Sequence, residues 1–106
     1  MKIKAIAMVA GAAMISMAAV GSAVAADGAA LFMQKACASC HGADGDTPIM
    51  PIYPKLGGQN AAYAVNQMKD IKSGARNNGQ TAAMKAIIAQ VSDEEMQAIA
   101  DWLASQ

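Results

Sequence analysis

Histidine occurs once in the 106 residues and cysteine twice, and the two cysteines, Cys37 and Cys40, lie three residues apart. A closed zinc site takes four protein ligands, more than these side chains supply. A bridge between the cysteines would close a tiny loop and restrain little of the unfolded chain. No stretch alternates apolar and polar residues long enough for a strand, and the βαβ pattern expected around an exported dithiol oxidoreductase is missing. Net charge is also lacking, with eight basic and eight acidic residues. Lys35, Lys55, Lys69, Lys72, Arg76 and Lys85 are scattered, without the dense cluster of a nucleic-acid or anionic-membrane binder. There is no internal repeat, no low-complexity tract and no second domain, and a chain this short allows one domain at most.

What is present begins with an address. Lys2 and Lys4 precede an uncharged run from Ala5 to Ala26, and Ala23, Val24 and Ala25 put small residues where a signal peptidase needs them. Residues 1–25 are therefore expected to be a signal peptide, cut after Ala25 or Ala26, with 26–106 as the single mature domain. The run is long enough to cross a bilayer core of roughly 30 Å, so a retained anchor is the competing reading. Its alanine, glycine and serine content and the small-residue pattern before Asp27 favour cleavage. The mature chain then carries six basic and eight acidic residues, a formal charge of −2. At that size a hydrophobic core alone gives little margin, and a disulfide, metal or large cofactor usually helps hold the fold.

Apolar spacing predicts four helical stretches and an all-α domain. In the first, Ala29, Phe32, Met33 and Ala36 share a face that runs into Cys37 and Cys40. From His41 to Gln59 the chain holds Gly42, Gly45, Pro48, Pro51, Pro54, Gly57 and Gly58, which predicts a long loop. Loops of that length usually do something, and wrapping a cofactor is one such task. Asn60 is positioned as an N-cap for a stripe of Ala61, Ala64, Val65, Met68 and Ile71 that stops near Gly74. Met84, Ile87, Ile88 and Val91 mark a third face. Ser92 and Glu95 have capping-box spacing ahead of Met96, Ile99, Ala100 and Leu103, on a final helix that carries Trp102.

Cys37-Ala38-Ser39-Cys40-His41 is a C-x-x-C-H sequence, the pattern for covalent haem attachment. Near a helix end, residues three apart lie on one side, so two thiols can each add to a haem vinyl group while the adjacent imidazole reaches the iron. With no second histidine, the soft ligand for the other axial position is a methionine. Met33 lies too near the attachment site and Met96 belongs to the face of the last helix. Spacing leaves Met50, Met68 and Met84 open, since the latter two sit on helical stripes where a methionine is more often packing, and Met50 lies in the loop.

From Gly28 to Ser105 the chain resembles the class I bacterial cytochromes c, most closely the cytochrome c-553 type and a single domain of the dihaem c-four type. The resemblance is carried by Leu31-Phe32, by Cys37-Ala38-Ser39-Cys40-His41-Gly42 with Asp44-Gly45, and by Tyr53-Pro54-Lys55-Leu56-Gly57-Gly58-Gln59. It continues through Tyr63, Gln67, Ser73-Gly74, Arg76, Met84, Val91-Ser92-Asp93-Glu94-Glu95 and Ala100-Asp101-Trp102-Leu103. It implies about four helices packed around one covalent haem c, with Cys37 and Cys40 as attachment points and His41 and Met84 as axial iron ligands. It further implies that the Pro54 carbonyl accepts the ring N–H of His41. One C-x-x-C-H means that two-haem behaviour does not carry over.

The function expected is a soluble periplasmic carrier of single electrons between redox proteins, and not an enzyme. A six-coordinate iron has no open site for substrate, and thioether ligation raises its potential. The competing reading, a haem-based sensor or peroxidase-like enzyme with a displaceable distal ligand, lacks a second histidine or an obvious catalytic acid. A membrane-tethered subunit of an oxidase or reductase is the remaining alternative if the leader is retained.

Overall fold

Asp27 opens the first helix, α1 (Gly28–Gln34), its carboxylate accepting from the backbone N–H of Ala29 and Ala30 at 3.0 and 3.2 Å. The computed structural model describes residues 27–106, so the expected leader 1–25 and its cleavage point lie outside the described residues. The inward face of α1 differs from the one the spacing predicted. Leu31 and Phe32 are buried while Met33 is 58% exposed. The helix ends before Ala36, and its line of approach to the C-terminal helix is set by Gly28. A Cβ at Gly28 would collide with the Ala98 carbonyl and with Trp102 Cβ, which turns the Gly28–Leu31–Phe32 side inward and leaves Met33 outward.

The stop of α1 places the first cysteine. The N–H of Ala36 donates to the Met33 carbonyl and that of Cys37 to the Phe32 carbonyl, both at 3.1 Å, the paired bonds of a Schellman ending. Ala36 takes the left-handed position with φ 66°, where glycine is usual. Because Ala36 is exposed and buries no side chain, Ala36→Gly should stabilise the protein by about 0.5–1 kcal/mol, the relief of left-handed strain partly offset by a freer unfolded chain. A raised midpoint of urea unfolding checks this, and a lowered midpoint would refute it.

Cys37 then starts a single turn, α2 (Ala38–His41). The sequence suggested about four helices; among the described residues there are five, all α and without strands, because this turn at the motif counts separately. Asn60 caps α3 (Ala61–Ser73), its Oδ1 accepting from the Tyr63 N–H at 3.0 Å, and Gly74 ends it. After α4 (Thr81–Ile88), Ser92 caps α5 (Asp93–Ala104). Ser92 Oγ accepts from the Glu95 N–H at 3.2 Å, and the Glu95 carboxylate accepts from the Ser92 N–H at 2.9 Å.

Helix α5 packs on both α1 and α3, and α3 on α4. The core between them is Leu31, Phe32, Cys37, Ile71, Ile88, Val91, Met96, Ile99 and Leu103, with the Phe32 and Trp102 rings 5.1 Å apart and tilted at 47°. Met96 is fully buried, as its place on the last stripe predicts. Two lysines clamp the α4–α5 turn from opposite sides: Lys35 Nζ donates to the Gln90 carbonyl at 2.9 Å and Lys72 Nζ to the Val91 carbonyl at 2.6 Å.

The Glu95 carboxyl lies below its ordinary range, first because the Ser92 N–H donates to it and second because the Lys35 ammonium stands 3.5 Å away. Its share of stability is therefore complete above the usual glutamate value of about 4.3 and is lost as pH falls below it. In Glu95→Gln, which keeps an acceptor and loses the charge, the fall in thermal midpoint on acidification should be shallower than in the parent. An identical fall in both proteins would show that the Glu95 charge plays no part.

Candidate functional site

His41 ends the single turn α2 and is buried, with 4% of its surface exposed. Its ring Nδ1 lies 2.9 Å from the Pro54 carbonyl oxygen, thirteen residues further along the chain. A carbonyl only accepts, so the proton sits on Nδ1 and donates to Pro54, leaving the Nε2 lone pair free. An imidazole that binds a metal through Nε2 needs this tautomer, and its outer hydrogen bond makes it a stronger donor to the metal.

The loop that delivers Pro54 is stitched down along its length. Gly42 has φ 89° and ψ 157°, backbone that only glycine adopts readily, and a Cβ there would strike the Thr47 carbonyl. The chain can thus fold back immediately after His41. Asp44 Oδ1 accepts from the N–H of Asp46 and Thr47 at 2.9 and 3.1 Å, bonds that hold its carboxyl below the usual range, Asp46 contributing most. The Ile49 N–H donates to the Cys40 carbonyl at 3.1 Å, the Leu56 and Gly57 N–H groups to the Gly45 carbonyl at 2.6 and 2.9 Å, and the Gly58 N–H to Leu103 at 2.8 Å. The loop is thereby tied to the motif at one end and to α5 at the other.

Cys37 is buried in the core and Cys40 is half-buried, and the two form no disulfide with each other. Burial pushes the Cys37 thiol up, which keeps it protonated. Among the described residues no group of three or more histidine, cysteine, aspartate and glutamate side chains converges as a metal cluster. The donor set in the motif is one imidazole and two thiols within five residues, which suits a metal that brings its own equatorial ligands. Haem attached through both sulfurs matches this inventory, and a bare zinc ion does not.

The methionines separate by environment. Met33 and Met50 are exposed, at 58% and 51%. Met68 and Met84 are partly buried and pack against the same core cluster from α3 and α4. Met50 instead lines a groove of about 430 Å³ with Asp46, Thr47, Pro48, Ile49, Pro51 and Lys55, which contains none of the three motif side chains. Sequence reading gave Tyr53 no role of its own. Its ring stands edge-on to His41, centroids 6.4 Å apart at 61°. An aromatic residue directly before the proline whose carbonyl holds the histidine was the available signal.

Known proteins resemble this chain. The family model for cytochrome c matches residues 25–106. Cytochrome c4 of Pseudomonas aeruginosa is 43% identical over 88 residues, 81% of this chain and 42% of that protein. Cytochrome c-553 of Nitratidesulfovibrio vulgaris is 39% identical over 85 residues, 80% of this chain and 81% of that one. A thiosulfate dehydrogenase electron acceptor of Stutzerimonas stutzeri is 42% identical over 86 residues, 74% of this chain and 38% of the relative. The crystal structure of reduced recombinant cytochrome c4 from Pseudomonas stutzeri superposes with a TM-score of 0.59 at 34% identity, covering 65% of this chain and 37% of that one. The chain thus spans about two fifths of the length of several proteins it matches and most of the length of the c-553 relative.

Proposed function

The chain belongs to the cytochrome c family, whose members bind haem c covalently, and on that premise we propose that it is an exported monohaem carrier of single electrons between redox proteins. In this reading Cys37 and Cys40 would hold the haem through thioethers, His41 and Met84 would ligate its iron, and the domain 26–106 would work in the periplasm after removal of the leader 1–25. The observation that carries it is the His41–Pro54 hydrogen bond, which orients the imidazole of the C-x-x-C-H motif. A relative named as an electron acceptor supports the same role.

Haem c, when bound, supplies an iron that holds or releases one electron without bond making in a substrate. This chain's residues decide the rest. Pro54 keeps the His41 ring oriented and electron-rich. Met84, packed half-buried on α4, would hold the iron through its thioether, a ligand that favours the reduced state. Partners are redox proteins acting as donor and acceptor, and among the described residues no helix is long and apolar enough to cross a membrane.

The test is the absorption spectrum of the exported protein, oxidised and reduced, with carbon monoxide then added to the reduced form. A low-spin spectrum that carbon monoxide changes slowly or little is expected. Rapid, complete binding would instead favour a sensor or peroxidase-like protein with a displaceable ligand.

A further inference from the structure

The segment between α3 and α4 is polar, and its residues Asn77, Asn78, Gly79 and Gln80 are all exposed. It nonetheless holds the start of α4. Gln80, at the N-cap, makes no side-chain cap bond. Asn78 does that work instead: its carbonyl accepts from the Thr81 N–H at 3.0 Å and from the Thr81 hydroxyl, and its side-chain Oδ1 stands 3.3 Å from the same hydroxyl. Thr81 is buried, so these bonds tie an exposed asparagine to the first residue of a packed helix.

The residue after Asn78 is Gly79, and even an added Cβ there would meet nothing within 4 Å. Gly79 is thus exposed and carries no side chain to crowd an approach to its backbone nitrogen, and no residue beyond its chain neighbours occupies the space where a Cβ would stand. Asn60, Asn66 and Asn77 are followed by Ala61, Gln67 and Asn78, whose side chains crowd the same attack. Asn66 also lies within α3, where the backbone cannot bend to allow it.

We propose that Asn78–Gly79 is a site of spontaneous deamidation, and that its isoaspartyl product loosens the start of α4. The Gly79 nitrogen, losing its proton to hydroxide, forms a bond to Asn78 Cγ, and the side-chain nitrogen leaves as ammonia. Water then opens the five-membered imide at one of its two carbonyls. One opening gives aspartate at position 78. The other routes the main chain through the former side chain, adding a methylene between the residue's Cα and Gly79. That shift displaces the carbonyl that accepts from Thr81, so the cap is lost in the second product and largely kept in the first. The inference rests on the cap geometry and not on which methionine binds iron.

Incubation of the haem-loaded protein at mildly alkaline pH, followed by tryptic mapping, tests it. Cleavage after Arg76 and Lys85 releases Asn77–Lys85, and a synthetic peptide of that sequence sets the unprotected rate. The peptide from the folded protein should gain the mass of amide-to-acid conversion and split into aspartyl and isoaspartyl forms. Peptides holding Asn60 and Asn66 should stay unchanged, and Asn78→Ser should abolish the conversion. In the isoaspartyl fraction, amides of α4 should exchange with solvent roughly 2- to 30-fold faster than in intact protein, the range that losing a helix cap implies. Survival of the folded protein's peptide after the free peptide has converted would overturn the site. Equal α4 exchange in the two fractions would overturn its effect on the helix.

Discussion

Cys37→Ala and Cys40→Ala should each leave at most one thioether, and the double variant should lose its haem completely in acid-acetone extraction, while the parent keeps its colour through extraction and denaturing electrophoresis. The parent's mass should exceed the polypeptide by one haem. The effect is large because the fold has few other staples: the described residues contain one ion pair and no disulfide. A cofactor bound only by the folded state contributes its binding energy to folding, so its loss should yield a poorly folded product rather than a stable apoprotein. The two single variants should differ. Cys37 is part of the buried core and Cys40 is half-buried, so Cys37→Ala carries an added packing cost. Colour lost from the parent on extraction, with both thiols open to alkylation, would sink the covalent assignment.

Met84→Ala should abolish the weak near-infrared sulfur-to-iron band of the oxidised protein, open the iron to added ligands and lower the reduction potential, because thioether ligation raises it. Met68→Ala is the informative control. Met68 and Met84 are both partly buried against the same cluster, so each truncation should cost stability, up to about 2–5 kcal/mol for a well-packed methionine. Only Met84→Ala should remove the band. Met50→Ala, at an exposed loop position, should change neither band nor stability appreciably. A band that survived Met84→Ala and vanished with Met68→Ala or Met50→Ala would move the ligand while leaving the cytochrome assignment in place.

Much of this molecule is written in short range. The caps at Asn60 and Ser92, the stop at Gly74 and the stripes of α3 to α5 depend on residues three or four apart. A local pattern therefore encodes them, and the fold bears them out. The C-x-x-C-H motif is local in the same way, since its two cysteines and its histidine fall within five residues.

The sequence by itself thus determined the all-α class, the four longer helices, the loop and the C-x-x-C-H motif. Tertiary structure decided what depends on distant partners. It turned Leu31 inward in place of Met33, because Gly28 lets α1 approach α5 along one particular line. It put Ala36 in a left-handed turn so that Cys37 enters the core. It brought Lys35 to the Gln90 carbonyl, fifty-five residues away, and Tyr53 edge-on to His41. In each case the local sequence allows several conformations of nearly equal energy, and the packing of one helix against another, which no short window contains, selects among them.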